Sequence, residues 1–473
     1  MRPLCVDLDG TLVATDTTVE GLLEVLKAAP WRLFALVAML MSGRPALKRY
    51  VASKARIDAS TLPYRKEVLT EIRRARDEGR HVLLVTASDQ STADAVANHL
   101  GLVDEAVGTH TDTNLKASRK AEYLVSRFGA GGFSYIGDSS ADLPVWKAAG
   151  EAIMVAPSPS TRRRAEQAVS RSRVLVERPN KLRAAIKELR PHQWAKNVLL
   201  FVPLYFAHQY TNPRLVFTAV MAFFAFSFAA SSIYVLNDLV DLPADRMHRS
   251  KRNRPLAAGS LSIADGIALS FFSLILSIGL ALAFVSLKFL WVVFGYVVLT
   301  TAYSFFLKQR MIVDVLTLAS LFTYRVMAGG VAVSVPLSEW LLAFSIFFFT
   351  SLAFVKRYSE LIQIKADGRR SIKGRNYRPA DMPIIVAAGL ASGFLAVLVF
   401  ALYINSPTIM SYYPRYQVLW GICLVLVYWI MRIWFLAARD EMHDDPVLFA
   451  VKDRISILAG VLVVLCLFVA RYT

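Results

Sequence analysis

An α/β domain with a doubly wound parallel sheet, followed by an all-α bundle that crosses a membrane several times, is the fold class this sequence predicts. Three observations predict it. In residues 1–155 short apolar runs alternate with helical segments. Beyond about residue 195 the chain becomes a succession of apolar stretches of membrane length. Carboxylates stand at Mg²⁺–phosphate spacing in both halves: Asp7-Leu8-Asp9-Gly10-Thr11 after the first run, and Asn237-Asp238-x-x-Asp241-x-x-x-Asp245 at the end of a hydrophobic segment.

Composition supports the two-part reading. At 473 residues two or more domains are expected. With 55% hydrophobic residues and a mean hydropathy of +0.43, the chain is too apolar for an ordinary soluble enzyme. Its net charge of +18 gathers at the ends of hydrophobic segments, which points to a membrane and argues against nucleic acid as partner. Cys5, Cys423 and Cys466 offer neither a disulfide framework nor a metal site. Arg2 is followed at once by an apolar run, so no secretory signal is read and the N-terminal half is expected in the cytosol.

The runs at 3–8, 81–86, 133–136 and 152–155 predict the strands. Ligands of such sheets bind beyond the carboxyl ends of strands, where Asp7, Thr86 and Asp138 fall. Residues 16–78 exceed a simple crossover and predict a helical cap within a first domain spanning 1–156. In that insertion the apolar stretch 31–41, with Arg32, Arg44 and Lys48 beside it, reads as a buried cap helix or as a surface dipping into the bilayer. Residues 157–190 read as a basic linker ending in an amphipathic helix, lying on anionic headgroups or simply solvated.

The remaining residues, 191–473, carry about nine hydrophobic segments: 194–210, 214–236, 262–284, 288–306, 312–332, 340–356, 383–404, 417–438 and 455–471. The first is short, which leaves a count of eight open. Lys and Arg concentrate in loops 237–261, 307–311, 357–382 and 439–454. The positive-inside rule thus places these loops in the cytoplasm and the C-terminus outside, in a multi-pass inner-membrane protein.

The acids of the first motif have companions: Thr86 ending the second strand, Lys120 opening a helix in Lys120-Ala121-Glu122-Tyr123-Leu124, and Gly137-Asp138-Ser139-Ser140-Ala141-Asp142 after another strand. Together these resemble the four motifs of haloacid-dehalogenase-superfamily phosphatases. The resemblance implies that Asp7 attacks phosphorus and that Asp9 protonates the leaving alcohol and then activates water. It also implies that Thr11, Thr86 and Lys120 hold phosphoryl oxygens, and that Asp7, Asp138 and Asp142 take Mg²⁺. Lys116 is the rival for the role of Lys120.

Asn237, Asp238, Asp241 and Asp245 recur every three to four residues and so share a helical face. Simple snorkelling would favour Lys and Arg over a row of acids. With Arg246, Lys251, Arg254 and Pro255 following, they resemble the first Asp-rich motif of the UbiA superfamily. Tyr303-Ser304-x-x-x-Lys308 with Asp314 looks like its second motif, though with a single acid. Arg190-Pro191-His192-Gln193-Trp194-Ala195-Lys196-Asn197, Arg325-x-x-Ala328-Gly329 and Lys356-Arg357-Tyr358-x-Glu360-Leu361 look like decaprenyl-phosphate phosphoribosyltransferases. That resemblance implies transfer of 5-phosphoribose from phosphoribosyl pyrophosphate to a polyprenyl phosphate. Asp238, Asp241 and Asp245 would hold Mg²⁺ and the leaving diphosphate. Lys196, Lys308, Arg325, Lys356 and Arg357 would grip phosphates, with a helix-end snorkel as the plain alternative.

The two resemblances join into one sequence of steps. The membrane half would make a lipid-linked ribose 5-phosphate, and the phosphatase half would remove the 5-phosphate for cell-envelope glycan synthesis. The alternatives are a prenyltransferase moving an isoprenoid from its diphosphate to an aromatic or lipid acceptor, and a non-catalytic scaffold or transporter. No Gly/Pro-interrupted inverted repeat of the transporter type is read. Homo-oligomerisation is open.

Overall fold

The computed structural model describes all residues except 44–46, 48–49, 52, 56, 110–114, 116, 367–374, 443–444 and 473. Lys116, Arg44 and Lys48 therefore lie outside the described residues. The chain forms two compact units: Met1–Leu189 with Tyr234–Ser270, and Arg190–Ile233 with Phe271–Thr473.

The first unit is built on a six-stranded sheet, β1 Leu4–Val6, β2 Val82–Asp89, β3 Glu105–Thr109, β4 Ser134–Gly137, β5 Glu151–Val155 and β6 Ser172–Val176. The order is β3-β2-β1-β4-β5-β6 and every pairing is parallel. Val6 pairs with both Leu84 and Ile136, so the carboxyl ends of the three central strands arrive at one edge. Alternation divides the strand residues between two apolar layers. Leu4, Val6, Leu84 and Ile136 pack with Val68 and Ile72 on one face; Cys5, Leu83, Val85 and Tyr135 pack with Leu124 and Trp146 on the other.

The sheet is wider than the sequence reading, and the boundary at 156 is corrected. Residues 157–190 hold a helix, Pro159–Ala168, the edge strand β6 and a second helix, Lys181–Leu189. Both edge strands are only partly buried, so neither carries the continuous apolar run that marks a central strand. The insertion divides as well. Helix Lys66–Asp77 buries Val68, Ile72 and Ala75 against the sheet and is core, while helices Thr17–Ala28 and Leu33–Met41 precede it. Trp31, Phe34 and Met41 of the apolar stretch are exposed.

The boundary at 191 moves too. Val235, Leu239, Leu242, Leu256, Leu261 and Ile263 bury themselves with Ala184, and Val19 and Leu23 pack against them. Burial of that cluster makes residues 234–270 part of the first unit. Gly259 marks how close this packing is: at φ +68° it has no Cβ, and one placed there would stand 2.4 Å from that of Ala14.

Eight helices among the described residues are long and apolar enough to cross a membrane: Pro213–Val240, Ile263–Phe284, Leu287–Phe305, Val313–Ala332, Glu339–Lys365, Pro379–Ile404, Tyr416–Ala438 and Arg454–Tyr472. The expected segment 194–210 is instead a 3₁₀ helix, Pro191–Phe201, followed by the short helix Val202–Phe206. Pro203 has no N–H with which to continue an α-helical ladder through this point. Phe271, Trp291 and Leu424 point outward from the second unit, as lipid-facing side chains do. Its core gathers Val315, Phe322, Phe349, Ile404, Ile433 and Trp434.

Candidate functional site

The first site grows from the end of β1. Asp7 continues the strand, its N–H donating to Ile136 O at 3.0 Å, and the chain then turns so that Leu12 N donates back to Asp7 O. Gly10 allows the turn at φ +73°, and a Cβ there would stand 2.3 Å from Asp138 Oδ2. Lys120 reaches in from helix Ser118–Phe128, donating to Asp7 Oδ1 at 2.7 Å and to the Tyr135 hydroxyl at 2.9 Å. The Tyr135 hydroxyl donates to Asp142 Oδ1 at 2.9 Å. Asp142 Oδ2 accepts from the backbone N–H groups of Asp138 and Ser139, which fixes the loop after β4.

Asp9 is held from two sides: Thr17 N donates to Oδ1 at 2.7 Å and Ser88 Oγ to Oδ2 at 2.5 Å. The Thr86 hydroxyl is fully buried and accepts from Ser88 N at 3.0 Å. Thr11 is buried, and its hydroxyl has no hydrogen-bond partner among the described residues.

Burial and crowding set the charges here. Burial, offset by Lys120 and reinforced by the Asp142 carboxylate, pushes Asp7 up to about 7. Burial, then Asp142 and Asp7, push Asp138 up to about 8. Burial also raises Asp9, against the hydrogen bonds from Ser88 and Thr17. For Lys120, burial works against the charge, but Asp7, Asp142 and Asp9 outweigh it and raise its pKa. Asp7, Asp138 and Asp142 each offer an oxygen within 4.8 Å of the others. Three desolvated carboxylates so close together fit a divalent cation, which would remove the repulsion that raises their pKa values. The cavity above them holds about 700 Å³.

Four residues of this site escape the motif reading. Ser88 lies two residues beyond Thr86 on the same face of β2, a position that strand periodicity alone would indicate. Tyr135 reads as core, and its hydroxyl is the link from Lys120 to Asp142. Arg65 donates to Gly10 O at 3.3 Å and lines the cavity, and nothing in its local sequence marks it. Glu20 accepts from Thr15 at 2.7 Å and is otherwise an ordinary helix residue by sequence.

The Asp-rich motif also lies in the first unit, at the end of helix Pro213–Val240. Asp238 and Asp245 are buried, and one guanidinium nitrogen, Arg254 Nη1, joins them at 2.9 and 2.5 Å. Lys251 stands 3.7 Å from Asp245. Burial raises the Asp245 pKa despite Arg254 and Lys251. Asp241 is half-buried at the start of helix Leu242–Met247, and Asn237 is likewise half-buried. Arg254 thus stands as the cation between two of the three acids, and among the described residues Asp238, Asp241 and Asp245 do not gather within 4.8 Å of one another as Asp7, Asp138 and Asp142 do. Arg246 is engaged elsewhere, in a buried bidentate pair with Glu20 at 2.5 and 3.2 Å.

In the second unit the structure brings Lys196 and Lys356 together on a single oxygen. Their ammonium groups stand 3.1 and 3.0 Å from Asp445 Oδ2, and the other carboxylate oxygen caps helix Pro446–Lys452. Burial alone would raise the Asp445 pKa, but Lys356 and Lys196 hold it well below the usual carboxylate range. Asp445 carries no motif signal.

Arg325 is buried, donating to Asn197 Oδ1, Leu321 O and Tyr296 OH. Arg357 is fully buried, with Nε 2.6 Å from Asp314 Oδ2 and Nη1 2.5 Å from Glu360 Oε2, and Arg375 also pairs with Glu360. Tyr303 donates to Asp314 at 2.9 Å, so the lone acid of the second motif is tied to Tyr303 and Arg357. Lys308 is half-buried in the turn Leu307–Gln309. A separate cavity of about 900 Å³ is lined by apolar residues that include Phe206, Trp340, Phe344, Phe348 and Phe400. None of the sequence-predicted site residues lines it.

Comparison with known proteins decides the family. Residues 198–470 match the UbiA prenyltransferase family. The chain belongs to that family. In this UbiA-family protein residues 4–147 match the haloacid dehalogenase-like hydrolases, so a phosphatase-type α/β domain is fused to a multi-pass membrane domain. The UbiA-family chain is 39% identical over 463 residues to an uncharacterized protein, y4nM, of Sinorhizobium fredii, covering 98% of this chain and 89% of the relative. It is 34% identical over 269 residues to nodulation protein NoeC of Azorhizobium caulinodans, covering 57% of this chain and 87% of the relative. Over 204 residues it is 38% identical to the decaprenyl-phosphate phosphoribosyltransferase of Corynebacterium glutamicum, covering 42% of this chain and 61% of the relative.

Proposed function

We propose that this UbiA-family protein is a bifunctional membrane enzyme. It transfers 5-phosphoribose from phosphoribosyl pyrophosphate to a polyprenyl phosphate, then removes the 5-phosphate to leave polyprenyl-phosphoryl-ribose. The observation that carries the second step is the seating of Asp7 against Lys120 with Asp9 held by Ser88 and Thr17. The similarity to decaprenyl-phosphate phosphoribosyltransferases supports the first.

Asp7, Asp138 and Asp142, and Asp238, Asp241 and Asp245, would hold Mg²⁺, which would supply positive charge to phosphoryl oxygens and to the departing diphosphate. Lys120 fixes the Asp7 carboxylate for attack on phosphorus. The new bond to Asp7 forms as the bond from phosphorus to the sugar O5 breaks, and Asp9, whose pKa burial raises, gives a proton to that oxygen. Asp9 then takes a proton from water, whose oxygen displaces Asp7 from phosphorus and releases phosphate. In the membrane domain Lys196 and Lys356, one shared carboxylate for two ammonium groups, keep a net positive charge suited to phosphate. The 900 Å³ apolar cavity suits an isoprenoid chain. Both active sites would face the cytoplasm across an inner membrane.

The test supplies purified protein with Mg²⁺, labelled phosphoribosyl pyrophosphate and polyprenyl phosphate. Wild type is expected to give lipid-linked ribose, and Asp7→Asn to stop at lipid-linked ribose 5-phosphate. If neither incorporates ribose label, transfer of an isoprenoid from its diphosphate becomes the reading to pursue.

A further inference from the structure

The cavity over Asp7 is finished by residues far from the phosphatase motifs. Gly259, Ser260, Ser262 and Asp265 line it together with Asp7, Asp138 and Lys120, although they follow the Asp-rich motif of the membrane transferase sequence. Their placement is built in. Gly259 backs onto Ala14 too closely for a side chain. Lys181 Nζ donates to Asp265 Oδ2 at 2.7 Å, and Lys187 Nζ donates to Asn253 O at 3.1 Å. The buried Arg246–Glu20 pair ties the same segment to the helix that follows Asp16.

Positive charge is distributed over two levels of this cavity. Lys120 is buried at the floor against Asp7, and Arg65 is half-buried beside it. Arg178 and Lys181 are exposed at the mouth. Arg178 has no side-chain partner among the described residues, whereas Lys181 is committed to Asp265. A substrate with one phosphate monoester needs only the floor. A second cationic level suits a second anionic group on the same molecule.

We infer that residues 259–265 and Arg178 form a substrate-selecting mouth on the phosphatase, which prefers a sugar phosphate that also carries a phosphodiester to a lipid over the free sugar phosphate. The monoester lies against Asp7 and Lys120, and the diester meets Arg178 beside the wall made by Ser260. Selection then resides in a segment contributed by the transferase sequence, so the two activities share a structural element. This rests on the phosphatase reading of the site.

The experiment uses the full chain in detergent with two substrates, ribose 5-phosphate and its 1-O-(short-chain prenyl phosphate) diester. Wild type is expected to prefer the diester at least about tenfold in kcat/KM. Arg178→Glu and, independently, Ser260→Trp are expected to collapse that ratio, and added salt to narrow it in wild type. A wild type without preference, or variants that lower both substrates in parallel, overturns the inference while leaving the phosphatase standing. Hydrolysis of neither substrate by wild type overturns the phosphatase reading and this inference with it.

Discussion

Asp445 holds two lysines on one carboxylate oxygen. Removing its charge leaves a buried and a half-buried ammonium group facing each other, a loss below the about 3–5 kcal/mol of breaking a fully buried pair. Asp445→Asn keeps the shape and is expected to lower transferase kcat/KM at least about tenfold, mostly through donor KM. Unchanged kinetics would show that the lysines need no such support. The phosphatase acids make a different prediction. Asp7 and Asp138 stand raised to about 7 and about 8 from a usual 3.8. Stability from these carboxyls is complete below the unfolded value and is lost as pH rises through 7 and 8. Without a divalent cation the protein should therefore weaken towards pH 8.5, and Mg²⁺ should raise the melting temperature by several degrees there but little at pH 5. An equal Mg²⁺ shift at both pH values, or one undiminished in Asp138→Asn, would contradict the assignment. At this scale the acids and Lys120 were readable because each sits at a fixed offset from a strand or helix end. Asp445 and Arg65 were not, since their partners lie far away in sequence.

At the scale of elements, the helix Thr17–Ala28 and the segment 234–270 are held by an apolar cluster and one buried ion pair. Glu20→Ala strands Arg246 without its counter-ion and is expected to cost about 3 kcal/mol. Pairing Glu20→Leu with Arg246→Met should recover most of that, because a packed apolar pair carries no desolvation cost. Thermal inactivation of the phosphatase measures both; a double variant as labile as Glu20→Ala would mean that the pair itself, not the uncompensated charge, matters. Central strands were legible from their apolar runs, with ends displaced by at most three residues. The edge strands were not, because a half-buried strand such as Ser172–Val176 offers only the short apolar run Val174-Leu175-Val176 between Arg173 and Glu177-Arg178 and resembles linker. Membrane helices were the clearest elements, since twenty apolar residues have few other uses. The apparent first span departs from a regular α-helix, running as a 3₁₀ helix over Pro191–Phe201 before the short helix Val202–Phe206.

The whole molecule must reconcile eight long helices with a basic side. Leu189 and Tyr234 belong to the same compact unit, so residues 190–233 leave it and return. Helix Pro213–Val240 supplies one crossing of a bilayer. A return crossing would then fall to Pro191–Phe206. Eleven 3₁₀ residues rise about 2.0 Å each and five α-helical residues 1.5 Å each, together roughly 30 Å. That equals the hydrocarbon thickness of a bilayer. Nine crossings would follow, placing the C-terminus opposite the phosphatase and the basic loop around Arg252 on the phosphatase side. Single cysteines in a background without Cys5, Cys423 and Cys466 decide it. Gln209→Cys and Tyr472→Cys are expected to react with an impermeant maleimide on intact cells, and Arg252→Cys only after permeabilisation. Seven long helices separate Arg252 from Tyr472, so that pair checks the later crossings, and should Gln209→Cys share the protection of Arg252→Cys, residues 190–233 do not cross and return and Pro191–Phe206 does not span. The tandem reaction needs the phosphatase on the side where the phosphorylated lipid is made. Arg252→Cys labelling from outside would place the basic loop and the phosphatase away from cytoplasmic phosphoribosyl pyrophosphate, and the proposed order of steps would fall with it.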